Sequence, residues 1–156
     1  PTMTPRAAER VSNLNRYAVD PDAVAFLGKV ILTDPRIEVR GKAWAIVKGR
    51  WERGGLGHAR AHERIADAVV RGPLPTTMKE DALNLLSYKS TNMGSLAYGL
   101  ANDDVAVRLA ASVALRQWAR KNPSGRAAAK QALLAQAAVE TDLSLSRRMR
   151  NYAGAL

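Results

Sequence analysis

The 156-residue chain has no cysteine, which excludes disulfides and thiolate metal sites and leaves histidine and carboxylates as the available transition-metal ligands. A reducing compartment fits that absence. No run of about 18 uncharged apolar residues occurs, as a membrane-spanning helix needs. The opening PTMTPRAAERVSNLNRY has no apolar core of the kind a secretory signal carries. The expectation is a soluble, cytoplasmic chain with no membrane partner. No stretch of β-branched or aromatic residues alternates with period two, so no strand is predicted.

The usual carriers of chemistry are missing as well. His58 and His62, the only histidines, fall on one predicted helix and leave almost nothing for a Ser/His/Asp triad; no Gly-x-Ser-x-Gly elbow exists. Their four-residue spacing could aim both rings at one metal, but Ala59 and Ala61 stand where a zincin or its inverted form needs Glu. Gly54-Gly55-Leu56-Gly57 lacks a preceding strand and a Gly-Lys-Ser/Thr ending, so it reads as a loop between helices. No catalytic residue, metal site or cofactor is assigned.

What the chain does have is helical punctuation. Thr4-Pro5 opens a predicted helix to about Tyr17, and Asp20-Pro21-Asp22 a second, with Val24, Phe26, Leu27, Val30 and Ile31 inward. A third runs from about Arg36 to Arg53, burying Val39, Ala43, Ile46 and Val47, and a fourth from about His58 to Arg71. Thr76 or Thr77 caps a fifth, and residues 92–100 form a weak sixth containing two glycines. The clearest helix is Asp103 to Pro123, with two acidic residues at its start and Val105, Leu109, Val113 and Trp118 at helical spacing. Pro123 opens an Ala-rich helix through Leu133, Leu134 and Ala138, and Thr141-Asp142 caps the last, through Leu145, Met149 and Tyr152. The fold class is all-α, about nine helices in one domain spanning 1–156.

Twenty-four Lys and Arg against fourteen Asp and Glu make a net charge of +10. The excess is local: residues 36–71 carry +5 and residues 116–156 carry +6, while 1–35 and 72–115 sum to 0 and −1. Clustered Arg of this kind is the footprint of a polyanion binder; a merely solubilising surface is the plain alternative. Trp51 stands beside Arg50 and Arg53, with Arg60 following, and Trp118 stands between Arg116 and Arg120. Trp among Arg suits stacking on bases with phosphates held by guanidinium groups, and equally suits filling gaps between Ala-rich helices. Trp44, Val47 and Trp51 share a stripe, so at least one Trp is expected to be partly exposed.

Ile37-Glu38-Val39-Arg40 returns 68 residues later as Val105-Ala106-Val107-Arg108, each after an acidic turn, and hairpin starts recur every 30 to 39 residues. With Asp34-Pro35-Arg36 and Asn102-Asp103-Asp104 before them, these stretches resemble HEAT-type repeats. That resemblance implies a right-handed α-solenoid of about four to five hairpins, with the acidic turn and Arg40 or Arg108 bonded to one another. Leu115-Arg116-Gln117-Trp118-Ala119-Arg120-Lys121-Asn122-Pro123, with Lys79 to Lys89 and Leu145 to Arg148, is also similar to the HEAT-like alkylpurine DNA glycosylases. That likeness covers the half of the chain from residue 76 onward. It implies phosphate contacts by Lys79, Arg116, Arg120, Lys121, Arg147 and Arg148. The family's catalytic parts do not carry over: its anchor-helix Trp falls at Val113, its Trp-Trp-Asp stretch meets Gly-Pro-Leu-Pro, and its fifth-helix Arg becomes Lys79.

The function expected is a non-catalytic module binding nucleic acid, DNA favoured, on a basic face built from residues 36–71 and 116–150. The alternatives are an assembly or interaction module for an acidic or apolar protein partner, in a cellular complex or virion, and a glycosylase-like enzyme.

Overall fold

The computed structural model describes residues 21–53 and 59–156. The first predicted helix, the glycine loop at 54–57 and His58 lie outside the described residues. Among the described residues there are eight α-helices, one short 3-10 turn and no strand, so the chain is all-helical there. None of these helices is long and apolar enough to cross a membrane. The chain divides into two compact units, Pro1–Leu74 and Pro75–Leu156.

In the first unit α1 (Pro21–Thr33), α2 (Ile37–Glu52) and α3 (Ala59–Arg71) pack on one another. The buried row of α1 is Val24, Leu27 and Ile31; α2 adds Val39, Ala43, Trp44, Val47 and Trp51, and α3 adds Ile65, Ala66, Val69 and Val70. Phe26, expected inward, is exposed, because it stands beside the 24-27-31 row rather than in it. Ile46 is half-buried for the same reason.

The second unit contains α4 (Thr76–Lys89), α5 (Gly94–Leu100), α6 (Val105–Lys121), a 3-10 turn at Pro123–Gly125, α7 (Arg126–Val139) and α8 (Leu143–Gly154). α6 lies between α4 and α8 and packs on both, while α5 and α7 pack against these helices and against each other. α5 comes so close to α6 that a Cβ at Gly99 would stand 2.9 Å from the Ala111 Cβ. Asp104 caps α6, accepting from the Ala106 N–H at 2.9 Å, and Asp142 caps α8, accepting from the Leu145 N–H at 2.9 Å. Neither Thr76 nor Thr77 caps α4. Pro75 holds the cap position, and the Thr76 hydroxyl instead donates to the Asp104 carboxylate.

Two inward rows differ from those expected. α6 buries Val107, Ala111, Ala114, Leu115 and Trp118, leaving Val105 exposed and Leu109 and Val113 half-buried. α7 buries Ala129, Leu133 and Ala137 and turns Leu134 and Ala138 outward. Both helices carry apolar side chains on more than one row, so spacing alone does not select the packed one.

The 68-residue copy holds down to single hydrogen bonds. Arg40 Nε donates to the Asp34 carbonyl, and Arg108 Nη1 donates to the Asn102 carbonyl at 2.9 Å, each six residues back. The expected bond between these arginines and the turn carboxylates is replaced by bonds to turn carbonyls. A side chain in the first turns of a helix leans toward its N-terminus and meets the backbone there first. The Asp34 carboxylate is taken by Arg36, through Nε and Nη2 at 3.0 Å each.

Candidate functional site

Four contacts fix the course of the helices that frame the site. Thr76 meets Asp104 at the starts of α4 and α6, whereas at their ends Trp118 Nε1 donates to the Ser90 carbonyl at 3.0 Å. Similarly, Arg108 near the start of α6 binds Glu140 just before α8, while Arg116 lies over the Tyr152 ring near the ends of both helices. α4, α6 and α8 therefore run parallel, with their N-termini at one end of the row and their C-termini at the other.

Charge separates along that row. The second unit holds six acidic residues: Glu80, Asp81, Asp103, Asp104, Glu140 and Asp142. Asp103, Asp104, Glu140 and Asp142 lie in the turns leading into α6 and α8, where the helix dipole favours a negative charge, and Glu80 and Asp81 lie in the second turn of α4. No acidic residue occurs from Ala82 to Lys89, from Val105 to Val139 or after Asp142. Toward the C-terminal ends stand Lys89, Arg116, Arg120, Lys121 and Arg150. None of these five has a carboxylate partner among the described residues.

At the acidic end Asp104, Glu140 and Asp142 are engaged. Glu140, 1% exposed in its side chain, takes both Arg108 Nε and Nη2, at 2.7 and 2.8 Å. The Arg108 hydrogen bond holds its carboxyl below the usual carboxylate range, against the opposing effect of burial. Asp104 is likewise lowered, first by the Thr76 hydroxyl and then by the Ala106 N–H.

The sequence-predicted cations thus fall into separate places. Arg116, Arg120 and Lys121 are together at the carboxylate-free end. Lys79 lies in the first turns of α4 beside Glu80 and Asp81, and Arg147 and Arg148 lie in the first half of α8. Arg148 shares a shallow cleft with Val105, Leu109, Asp142, Ser144 and Leu145. In the first unit Arg50 is half-buried near the end of α2, Arg53 is exposed just past it with its guanidinium beside Gly49, and Arg60 is exposed on α3.

The expectation of a partly exposed tryptophan is corrected. Trp44, Trp51 and Trp118 are 3%, 4% and 4% exposed, so neither candidate stacking ring, Trp51 or Trp118, offers a face to a base. Trp51 stacks on buried His62, ring centroids 6.4 Å apart and planes 16° from parallel. Trp118 closes on Gly125, where an added Cβ would lie 2.3 Å from the indole. Large rings fill the gaps that small side chains leave between helices, and burial follows.

Two tyrosines occupy the position expected of the tryptophans. Tyr88 is 48% exposed, with Lys121 Nζ 4.1 Å from its ring centroid, and half-buried Tyr152 has Arg116 Cζ 4.9 Å from its centroid. The sequence reading missed Tyr88, Lys89, Arg150 and Tyr152. The detectable signal was the absence of acidic residues from the last turns of α4, α6 and α8.

Among the described residues no three His, Asp or Glu side chains gather as a metal site. A scan against family models found no match to this chain, and searches of curated proteins and of solved structures found none either.

Proposed function

We propose that this chain is a non-catalytic HEAT-like solenoid module that binds nucleic acid, DNA favoured, by sequence-independent phosphate contacts. One observation carries the reading: Lys89, Arg116, Arg120, Lys121 and Arg150 stand toward one end of three parallel helices with no carboxylate among them. A helix dipole accounts for a cation in a last turn, at about 0.3–1 kcal/mol. Five cations together repel one another, a cost that a polyanion removes on binding. The parallel course of α4, α6 and α8, with α5 and α7 packed against them, supports the solenoid architecture, in which successive hairpins stack and reuse equivalent contacts. Val113 and Lys79 in place of the glycosylase Trp and Arg support binding without glycosidic cleavage.

A protein-interaction module is the second reading, favoured by the exposed apolar side chains Leu134, Val139 and Leu143 on and after α7. Fluorescence anisotropy of labelled DNA across about 50 to 300 mM salt separates the two. The nucleic-acid reading expects a linear fall of log affinity with log salt, abolished by Arg116→Glu with Arg120→Glu. Absence of saturable binding at the lowest salt sinks it and turns the search to protein partners.

A further inference from the structure

We infer that the ligand is a single-stranded polynucleotide, with Tyr88 stacking on an unpaired base while Lys121 and Arg120 hold the flanking phosphates; this rests on the nucleic-acid reading above. All three tryptophans are buried, so base stacking falls to an exposed ring, and Tyr88 is 48% exposed at the carboxylate-free end. Its neighbours suit the task. Lys121 Nζ is 4.1 Å from the ring centroid, Lys89 is the next residue in the chain, and Arg120 is exposed beside Lys121.

A duplex keeps the faces of its bases inside the stack, where a surface tyrosine cannot reach them, whereas a single strand offers each base as a flat π-surface. The Lys121–Tyr88 contact is also of a strength that can be exchanged. Cation–π pairs at exposed sites are weak, and an incoming strand replaces both halves: a base takes the ring while a phosphate takes the ammonium. Tyr152 is less suited, because the guanidinium of Arg116 packs over it, with an enclosed Nε that has no hydrogen-bond partner among the described residues. That packing leaves Arg116 as a fixed cation beside the strand and Tyr88 as the ring that stacks.

The test compares a labelled DNA strand of about 20 nucleotides, longer than one such site, with the matching duplex. It uses the full chain and its Tyr88→Leu and Tyr88→Phe variants at one fixed low salt concentration. Leu keeps apolar volume without a π-face, and Phe keeps the ring without the hydroxyl. The expected result is tighter binding of the single strand, a loss of about tenfold for that strand with Tyr88→Leu, and less than about twofold change with Tyr88→Phe. Duplex affinity stays within about twofold throughout, because it rests on phosphate contacts alone. Equal losses on both probes, or no loss on the single strand, overturn the inference while salt-dependent binding leaves the polyanion reading standing. Binding of neither probe overturns both. Circular dichroism melts of each variant identify a folding defect, and where Tyr88→Leu shows one, Tyr88→Gln, which suits this exposed position and has no π-face, makes the same comparison.

Discussion

Arg108 grips Glu140 through two parallel hydrogen bonds, Nε to Oε2 at 2.7 Å and Nη2 to Oε1 at 2.8 Å, joining the start of α6 to the turn before α8. The same guanidinium donates through Nη1 to the Asn102 and Asp103 carbonyls at 2.9 Å each. Glu140 Oε1 also accepts from the Asp142 N–H at 3.0 Å. One ion pair thus ties together the turns that launch α6 and α8. Glu140→Ala leaves a nearly buried guanidinium without its carboxylate and is expected to destabilise the second unit by about 3 kcal/mol. Urea denaturation followed by circular dichroism measures it; a loss below about 0.5 kcal/mol refutes this role.

The same pair sets a pH dependence. Glu140 and Asp104 both titrate below the ordinary carboxylate range, Glu140 chiefly through Arg108 and Asp104 chiefly through Thr76. A group whose folded pKa is depressed stabilises fully above its unfolded value, about 4.3 for Glu, and loses that contribution as pH falls through the folded value. The melting temperature is therefore expected to be level above about pH 5 and to drop below about pH 4. Glu140→Gln flattens the drop, and an unchanged acid slope in that variant contradicts the assignment.

Two glycines predict opposite signs for the same substitution. Gly125→Ala places a methyl 2.3 Å from the Trp118 ring, next to the bond from Trp118 Nε1 to Ser90, and is expected to cost about 2 kcal/mol. Gly41, inside α2, has nothing within 4 Å of an added Cβ, so Gly41→Ala gains helix propensity and is expected to stabilise by about 0.5–1 kcal/mol. Thermal melts of the two variants, shifted down and up respectively, check both.

Charge reversal at the two ends of α4 distinguishes the proposed interface from general attraction. Lys89→Glu puts a carboxylate where the second unit has none, whereas Lys79→Glu adds one beside Glu80 and Asp81. Each changes the net charge equally. Lys89→Glu is expected to weaken DNA binding about tenfold and Lys79→Glu about twofold at low salt, read by anisotropy. Equal effects would mean that overall charge alone attracts the polymer.

The sequence by itself determined the all-helical class and most helix limits, because Pro, Gly, Asn and capping Asp act locally: Asp104, Asp142 and Asn122-Pro123 stop or start helices as their chemistry requires. It also carried the 68-residue echo that becomes the pair of arginine-to-carbonyl bonds at Arg40 and Arg108. It did not determine which row of an alanine-rich helix faces inward. Val105, Leu109 and Val113 are spaced as well as Val107, Ala111 and Leu115, and only the placement of α4 and α5 against α6 selects the second row. The same limit applies to the aromatic residues. A Trp beside Arg reads identically whether its ring packs inward or stands free, and the tertiary structure buried all three tryptophans. The pairing of Tyr88 with Lys121, 33 positions apart, exists only because α4 and α6 run parallel. A one-dimensional charge count could therefore show the excess of cations, while packing decided that the carboxylates gather at one end of the helical row and that Lys89, Arg116, Arg120, Lys121 and Arg150 stand away from them toward the other.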